Sequence, residues 1–403
     1  MKTKIPRALK SIFFAGMLLG SALLFSPQPF PGDASAQDKD ISPIKIGAIF
    51  SVTGKASSLG LPEKQTVEML AQKINKAGGI NGRPLEMFIY DDQTDETLTV
   101  TLAERLLNED KVKAIIGPTI SGASMAIIET VSAAPVPLIS CAASYKIVID
   151  DEGRPRKWVF KTPPSDSMAV ERIYDYLAKN KMTKIALLTA TSGFGEQGRT
   201  ELQRLAPNFG VILVADKRFG SDDADMTPQL IEIKATKAQA IVVWGLGKAV
   251  AIISRNANTL GLKQQIVQSW GVVNQAFLDL AGDAAEGQVL PASRMIVADQ
   301  LPDTDPQKEL LVQYKRDFED TFPGAKVSIF GGYASDAFML LMEAIKKAGS
   351  DDPAKVRDSL EQIKSFAAIT GIFSMSANDH NGLSKDAFVM VKIENHRFKL
   401  IQE

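Results

Sequence analysis

From Ile44 onward, short β-branched runs alternate with segments of helical periodicity, an order that admits little besides parallel sheets flanked by helices. Ile44 to Phe50 reads as a strand. The spacing of Val67, Leu70, Ala71 and Ile74 predicts a helix over 62–77 that Gly78-Gly79 stops. Strands at 85–90, 114–116 and 137–140 then alternate with helices at 98–109 and 125–134. A charged, proline-rich break at 150–164 follows, and a lobe boundary falls at 160–163. The pattern restarts with helices at 168–179, 196–205, 226–235 and 248–260, and strands at 184–188, 211–215, 240–244 and 266–268. After Leu290 comes a loop-like passage with Pro291, Pro302 and Pro306, then helices at 307–321, 334–348 and 353–363. The tail from Phe388 to Leu400 alternates like an edge strand pair. The expected fold class is therefore α/β, with two doubly wound parallel-sheet lobes. Two such lobes facing each other place a ligand between them, at the carboxyl ends of the strands.

The N-terminus reads as an address. Lys2, Lys4, Arg7 and Lys10 form a basic head, Ile12 to Phe25 is apolar, and Ala34-Ser35-Ala36 is a small-x-small cleavage site before Gln37. Residues 1–36 are thus expected to be a cleavable signal peptide, its apolar core too short to span a bilayer comfortably. A lipid anchor would need a cysteine at the cleavage point, and Cys141 is the one cysteine of the chain. That count also precludes an internal disulfide, which suits a bacterial periplasm better than a small secreted scaffold. The length allows two domains of roughly 150 residues each. With 45% hydrophobic residues the chain can bury full-sized cores. A net charge of −1 spread along the chain leaves no footprint for nucleic acid or an anionic membrane.

Catalytic constellations are scarce. The histidines, His380 and His396, lie near the C-terminus without a Cys or His at metal-ligand spacing, so neither a zinc site nor a Ser-His-Asp triad is expected. Asp91-Asp92 at a strand end reads as a solvated loop rather than an acid pair. Gly193-Phe194-Gly195-Glu196-Gln197-Gly198 is a literal GxGxxG after a strand, with Asp216 ending the next strand, which is the fingerprint of a dinucleotide-dependent oxidoreductase. Three residues between strand and first glycine, and Glu196 where phosphates need positive potential, weigh against it. A glycine-rich cleft loop is the competing assignment. Gly245-Leu246-Gly247 is a weaker echo. No enzyme activity, metal or cofactor is expected.

Two loops have the chemistry to hold a carboxylate. Thr119 to Ser124 joins a strand to a helix start, and Cys141-Ala142-Ala143-Ser144 follows the next strand. Small side chains admit a ligand to backbone N–H groups, Ser121 and Ser144 add hydroxyl donors, and a helix terminus adds favourable dipole. Helix capping by the two serines is the structural alternative. Phe194, Trp244 and Trp270 all fall at or just beyond strand ends, either as core or as an apolar wall facing those loops.

Ile44-Lys45-Ile46-Gly47, Ser51-Val52-Thr53-Gly54 and the run Ile74 to Gly82 resemble the opening of leucine/isoleucine/valine-type periplasmic binding proteins. Tyr90-Asp91-Asp92, Ile115-Ile116-Gly117-Pro118, Phe194-Gly195-Glu196 and the run Ala281 to Gly287 continue the match in order along the mature chain. The resemblance implies a type I periplasmic-binding-protein fold with a three-crossing hinge, acting as the monomeric receptor of an ABC permease. It implies an N-terminal lobe of 41–160 plus 293–375 and a C-terminal lobe of 161–292 plus 376–403. It further implies that Ser121 binds the ligand carboxylate and that Ala142, Ala143 and Ser144 supply backbone groups and a hydroxyl. Phe194 stands at a family tyrosine position, Leu59 at an aromatic one, and Phe330 in the segment lining the side-chain pocket. Trp270 departs from the family pattern, because amino-acid binders carry an acid there to pair with the ligand ammonium. Ser269-Trp270-Gly271-Val272, Leu290-Pro291-Ala292 and the run Val297 to Pro302 are more similar to relatives that bind aromatic or keto acids. A small-molecule sensor on the same fold is the remaining alternative.

Overall fold

The structure is a computed structural model that describes residues 41–402, so the expected signal peptide lies outside the described residues. The first sheet has five parallel strands in the order β2-β1-β3-β4-β5. These are β1 (Ile44–Phe50), β2 (Leu85–Asp91), β3 (Ile115–Ile116), β4 (Leu138–Ser140) and β5 (Val159–Lys161). Between them run α1 (Ser57–Lys76), α2 (Glu96–Arg105), α3 (Ser121–Ala126) and α4 (Ile128–Ala133). Both faces are covered: Ile46, Ala48 and Phe50 pack on one side, Ile49, Ile115 and Leu138 on the other. That two-sided burial is why these strands are continuous apolar runs.

The chain then enters a second sheet of seven strands, ordered β14-β13-β10-β9-β8-β6-β7. Its elements are α5 (Asp166–Lys179), β6 (Lys184–Ala190), α6 (Gly193–Leu205), β7 (Ile212–Phe219), α7 (Thr227–Lys234) and β8 (Ala240–Trp244). They continue with α8 (Lys248–Thr259), β9 (Gln265–Gln268), α9 (Gln275–Ala281) and β10 (Val289–Ser293). Helices α10 (Lys308–Thr321), α11 (Ile329–Ala348) and α12 (Pro353–Glu361) follow, with α11 packed along α1 and against β3. A two-stranded hairpin comes next, β11 (Phe366–Ala367) with β12 (Ile372–Phe373). The tail then adds β13 (Phe388–Glu394) and β14 (Arg397–Leu400), both antiparallel, to the second sheet. The chain therefore passes between the two sheets three times.

Several elements differ from their sequence expectation for identifiable reasons. The break at 150–164 contains β5, whose three residues are too few for periodicity to register. The passage after Leu290 opens as β10, with Pro291 inside it. Val289 is the residue of β10 in register with β9, so Pro291 sits past that ladder, where a missing N–H costs little. Helix α1 starts at Ser57 and carries Pro62 internally. The helix expected over 125–134 is split between α3 and α4. Helix α11 starts at Ile329, ahead of Gly331-Gly332, because tertiary contact overrides glycine's low propensity. A Cβ on Gly331 would come within 2.7 Å of the Tyr314 hydroxyl and 2.8 Å of Thr66 Oγ1.

The glycine-rich stretch is likewise helical. Gly193 to Gly195 form the first turn of α6, with the Ser192 hydroxyl accepting from Gly195 N at 3.3 Å. A Cβ on Gly198 would overlap the Trp244 indole, and one on Gly195 the Ala190 backbone. The glycines bring α6 down onto the sheet, and no phosphate turn is formed. Gly198→Ala should therefore destabilise the fold by about 1–3 kcal/mol through overpacking. Denaturant unfolding measures this, and unchanged stability would show that the helix does not need the contact.

Candidate functional site

In the first sheet strand order reverses between β1 and β3, and in the second between β6 and β8. Loops leaving strands at such a reversal diverge and open a crevice. The lining residues come from these places. Leu59 follows β1, Thr119, Ile120 and Ser121 follow β3, and Cys141, Ala142 and Ala143 follow β4. From the second sheet come Phe194 after β6, Leu246 after β8, and Trp270 and Gly271 after β9. Pro163 contributes from the first crossing, and Phe330 and Tyr333 from α11.

The two sides are shut against each other. The space they enclose is about 20 Å³, room for about one water, whereas small-molecule pockets run to roughly 300 Å³ and more. Ligand entry thus requires the lobes or their side chains to move. Elsewhere Lys55 Nζ meets Asp222 Oδ2 at 2.6 Å, joining the loop after β1 to the loop after β7. Both partners are exposed, so the pair adds little stability.

Ser121 is 2% and Ser144 0% exposed. Neither serine caps a helix with its side chain. Ile120 occupies the N-cap of α3, and the Ser144 side chain makes no cap bond. Ser144 N donates to Ser121 Oγ at 3.3 Å, while Ser144 Oγ is buried without a partner. At six residues α3 is too short to bring a useful macrodipole, so the expected dipole contribution falls away.

Trp270 forms T-shaped contacts with Phe194, at 5.3 Å between centroids, and with Trp244, at 5.2 Å. Trp244 sits behind these rings against Gly198 and does not reach the cavity, and Ser144 is likewise outside the lining. The other residues singled out by sequence, namely Leu59, Ser121, Ala142, Ala143, Phe194, Trp270 and Phe330, are brought together. Among the described residues no acidic side chain lines the cavity. Gln268 turns away to Gln288 at 2.8 Å, and Ser269 Oγ donates to Gly245 O.

Sequence inspection missed two groups. Tyr333 lines the cavity with a buried hydroxyl that has no hydrogen-bond partner at bonding distance. Glu63 lies one layer deeper, where it accepts a hydrogen bond from Thr119 Oγ1 with one oxygen and leaves Oε1 unpartnered. Burial, with Asp92 nearby, pushes the Glu63 carboxyl well above the usual carboxylate range. A recognisable signal existed: Glu63 falls on the same helical stripe as Leu59, Thr66 and Val67 and is a charge on an apolar face. Burial also raises the Cys141 thiol, leaving it un-ionised. Asp91 is occupied in ordering the loop after β1, accepting from Val52 N at 2.9 Å, Thr53 N at 3.1 Å and Thr53 Oγ1 at 2.7 Å.

Comparison with known proteins agrees with this geometry. The family profile described as periplasmic binding protein matches residues 43–396. The chain belongs to the periplasmic binding protein family. Within it the chain is of the leucine/isoleucine/valine-binding, type I kind. It is 27% identical over 330 residues to the leucine-, isoleucine-, valine-, threonine- and alanine-binding protein of Pseudomonas aeruginosa, covering 81% of this chain and 84% of that one. An extracellular ligand-binding receptor from Rhodopseudomonas palustris HaA2 superposes with a TM-score of 0.83 at 29% identity, over 89% of this chain and 99% of that one. The fold is also shared by an ABC-transporter solute-binding protein from Rhodopseudomonas palustris BisB5, in complex with 3,4-dihydroxybenzoic acid. Its TM-score is 0.76 at 21% identity, over 90% and 96% of the two chains. These relatives are binding proteins, not enzymes, and the oxidoreductase alternative falls with the helical glycine stretch.

Glu63 gives a test of the cavity floor. A carboxyl whose folded pKa is raised binds more protons folded than unfolded, so its contribution makes stability fall as pH rises above its ordinary value of 4.5. Glu63→Gln keeps the acceptor for Thr119 and removes that dependence. Its melting temperature should match the wild type in acid and exceed it at neutral and alkaline pH. Parallel wild-type and variant curves across that range would refute the buried, protonated state.

Proposed function

We propose that this chain is the periplasmic receptor of an ABC importer, and that its ligand is a small carboxylate with a flat or branched apolar body and no α-amino group. One observation carries the ligand class. The cavity offers hydroxyls and small-residue loops on one side and Phe194 and Trp270 on the other, with no acid among its lining residues. A buried ammonium without a carboxylate partner loses roughly 3–5 kcal/mol, against about 8 kcal/mol for a whole micromolar site. Glu63 lies one layer below the lining, where it accepts from Thr119 Oγ1, and is not itself exposed to the cavity. Ser121 and the 142–144 turn receive the acid end, and Tyr333, beside Trp270, lines the part that holds the body. The relative in complex with dihydroxybenzoic acid is in keeping with this class. The Pseudomonas relative, named for aliphatic amino acids, favours the alternative of a branched-chain amino acid.

Export through cleavage near Ala36 delivers the receptor to its permease. The N-terminal lobe comprises 41–160 plus 293–375 and the C-terminal lobe 161–292 plus 376–403. The lobes close about loops near Thr162, Ala292 and Met375, with Pro163, Pro164 and Pro291 limiting the swing.

Calorimetry with 4-hydroxybenzoate, 4-methyl-2-oxopentanoate and leucine decides the ligand class. The first two should bind and leucine should not. Micromolar leucine binding without the others would overturn the assignment of Trp270. Ser121→Ala should weaken every carboxylate that binds by about 1–3 kcal/mol through loss of a charge-assisted hydrogen bond. Trp270→Glu should reject the aromatic acid and recover some binding of leucine.

A further inference from the structure

A buried lysine stands directly behind the carboxylate-binding turn. Lys161 ends β5 and is fully buried. Its Nζ donates to Ala143 O at 3.1 Å and to Pro163 O at 2.6 Å, two residues that both line the cavity. The peptide group that begins at Ala143 O continues to Ser144 N, which donates to Ser121 Oγ. Lysine, peptide and serine thus form one chain of hydrogen bonds pointing the same way. Its last acceptor is Ser121 Oγ, leaving that hydroxyl's own proton free for the cavity. Chains of this kind polarise one another, and a positive charge at the far end strengthens the last donor.

We infer that Lys161 is the positioning residue of the ligand carboxylate: its ammonium, held on Ala143 O and Pro163 O, supplies the positive charge that the lining lacks and couples acid binding to the hinge. The inference rests on the receptor assignment above but not on which carboxylate is bound. Its electrostatic surroundings are specific. Asp166, opening α5, and Asp379, on the last crossing, are the carboxylates that act on it. Asp166 is in turn influenced by Glu201 of α6 and accepts a hydrogen bond from Tyr145 N. No carboxylate among the described residues reaches Lys161 at ion-pair distance. His380 touches this region through its backbone, Lys161 N donating to His380 O at 3.1 Å. Burial lowers the affinity of Lys161 for its proton and raises that of Asp166. An arriving carboxylate reverses the penalty on Lys161, so binding draws a proton from solution. Affinity then falls as pH rises above neutrality.

Calorimetry in buffers of different ionisation enthalpy counts that proton. The probes are 4-hydroxybenzoate, 4-methyl-2-oxopentanoate and leucine, each of which carries a carboxylate. Whichever binds should do so with uptake of a fraction of a proton near neutral pH. Lys161→Arg, which keeps the charge but does not titrate, should bind without uptake. Lys161→Met should bind about tenfold more weakly. Binding with no proton uptake by the wild type overturns the inference, as does uptake that persists in Lys161→Arg, which would move the proton to Asp166. The wild-type and arginine measurements decide the question even if Lys161→Met does not fold. Leucine binding with uptake overturns the keto- and aromatic-acid assignment and leaves Lys161 in place. Absence of binding by all three probes overturns both.

Discussion

One side-chain amide joins the first crossing between the sheets to the last. Asn381 Nδ2 donates to Pro163 O at 3.0 Å and Lys161 O at 3.3 Å, while its Oδ1 accepts from Ser165 Oγ at 3.0 Å. Around it, Lys161 N donates to His380 O, and Thr162 Oγ1 donates to Tyr333 O at 2.8 Å. His380 lies on Phe160 at 4.1 Å between centroids and directs Nδ1 at the carbonyls of Arg156 and Val159. Segments more than two hundred residues apart are thereby fixed beside the cavity; Pro163 belongs to both the crossing and the lining, and Tyr333 of α11 ties the crossing to the lining. A buried network of this sort is stable only when its members are satisfied, and removing one strands the rest. The geometry of the lining side chains depends on it.

Fixed crossings explain how a cavity so small can belong to a binding protein. With the two sides shut, Phe194 and Trp270 are buried edge to face at the wall of the cavity. On the proposed carboxylate assignment, a ligand gains affinity from packing against this wall and from its charged end together. On the same assignment the polar side of the cavity, where Ser121 receives Ser144 N, is the discriminating one. The exposed Lys55–Asp222 pair joins loops of the two sheets but is too solvated to hold them firmly.

Much of this was legible in the sequence because doubly wound sheets write themselves plainly. Buried parallel strands such as Ala240 to Trp244 are unbroken apolar runs, and residues just past their ends fall at the cleft wherever they stand in the chain. Loops with Ser121 and Ala142-Ala143, and Phe194 and Trp270 at strand ends, could therefore be chosen before any coordinates. Glu63 apart, whose charge on the apolar stripe of α1 was a signal, what failed to show had no local one. Strand β5 is three residues long, and β10 hides behind Pro291. Tyr333 reaches the cavity only because α11 packs along α1, a contact between segments far apart in the chain. Trp244 looks identical to Trp270 by strand position, yet it stands one layer back, and only the packing of α6 separates the two.

That packing turns the misleading glycine motif into a structural device. A helix set on a sheet at ordinary distance leaves room for side chains between them. Gly195 and Gly198 remove that room over Ala190 and Trp244, so α6 descends until Phe194 projects past the end of β6. Phe194 then meets Trp270 edge-on, and Trp270 is braced from behind by Trp244 at 5.2 Å and Phe388 at 5.2 Å. Edge-to-face rings at these separations are favourable beyond their buried area. The same spacing of glycines that lets a backbone approach a pyrophosphate elsewhere serves here to let a helix approach an indole. Motif and chemistry part company because the glycines fix only how close two surfaces come, and the neighbouring residue decides what those surfaces do.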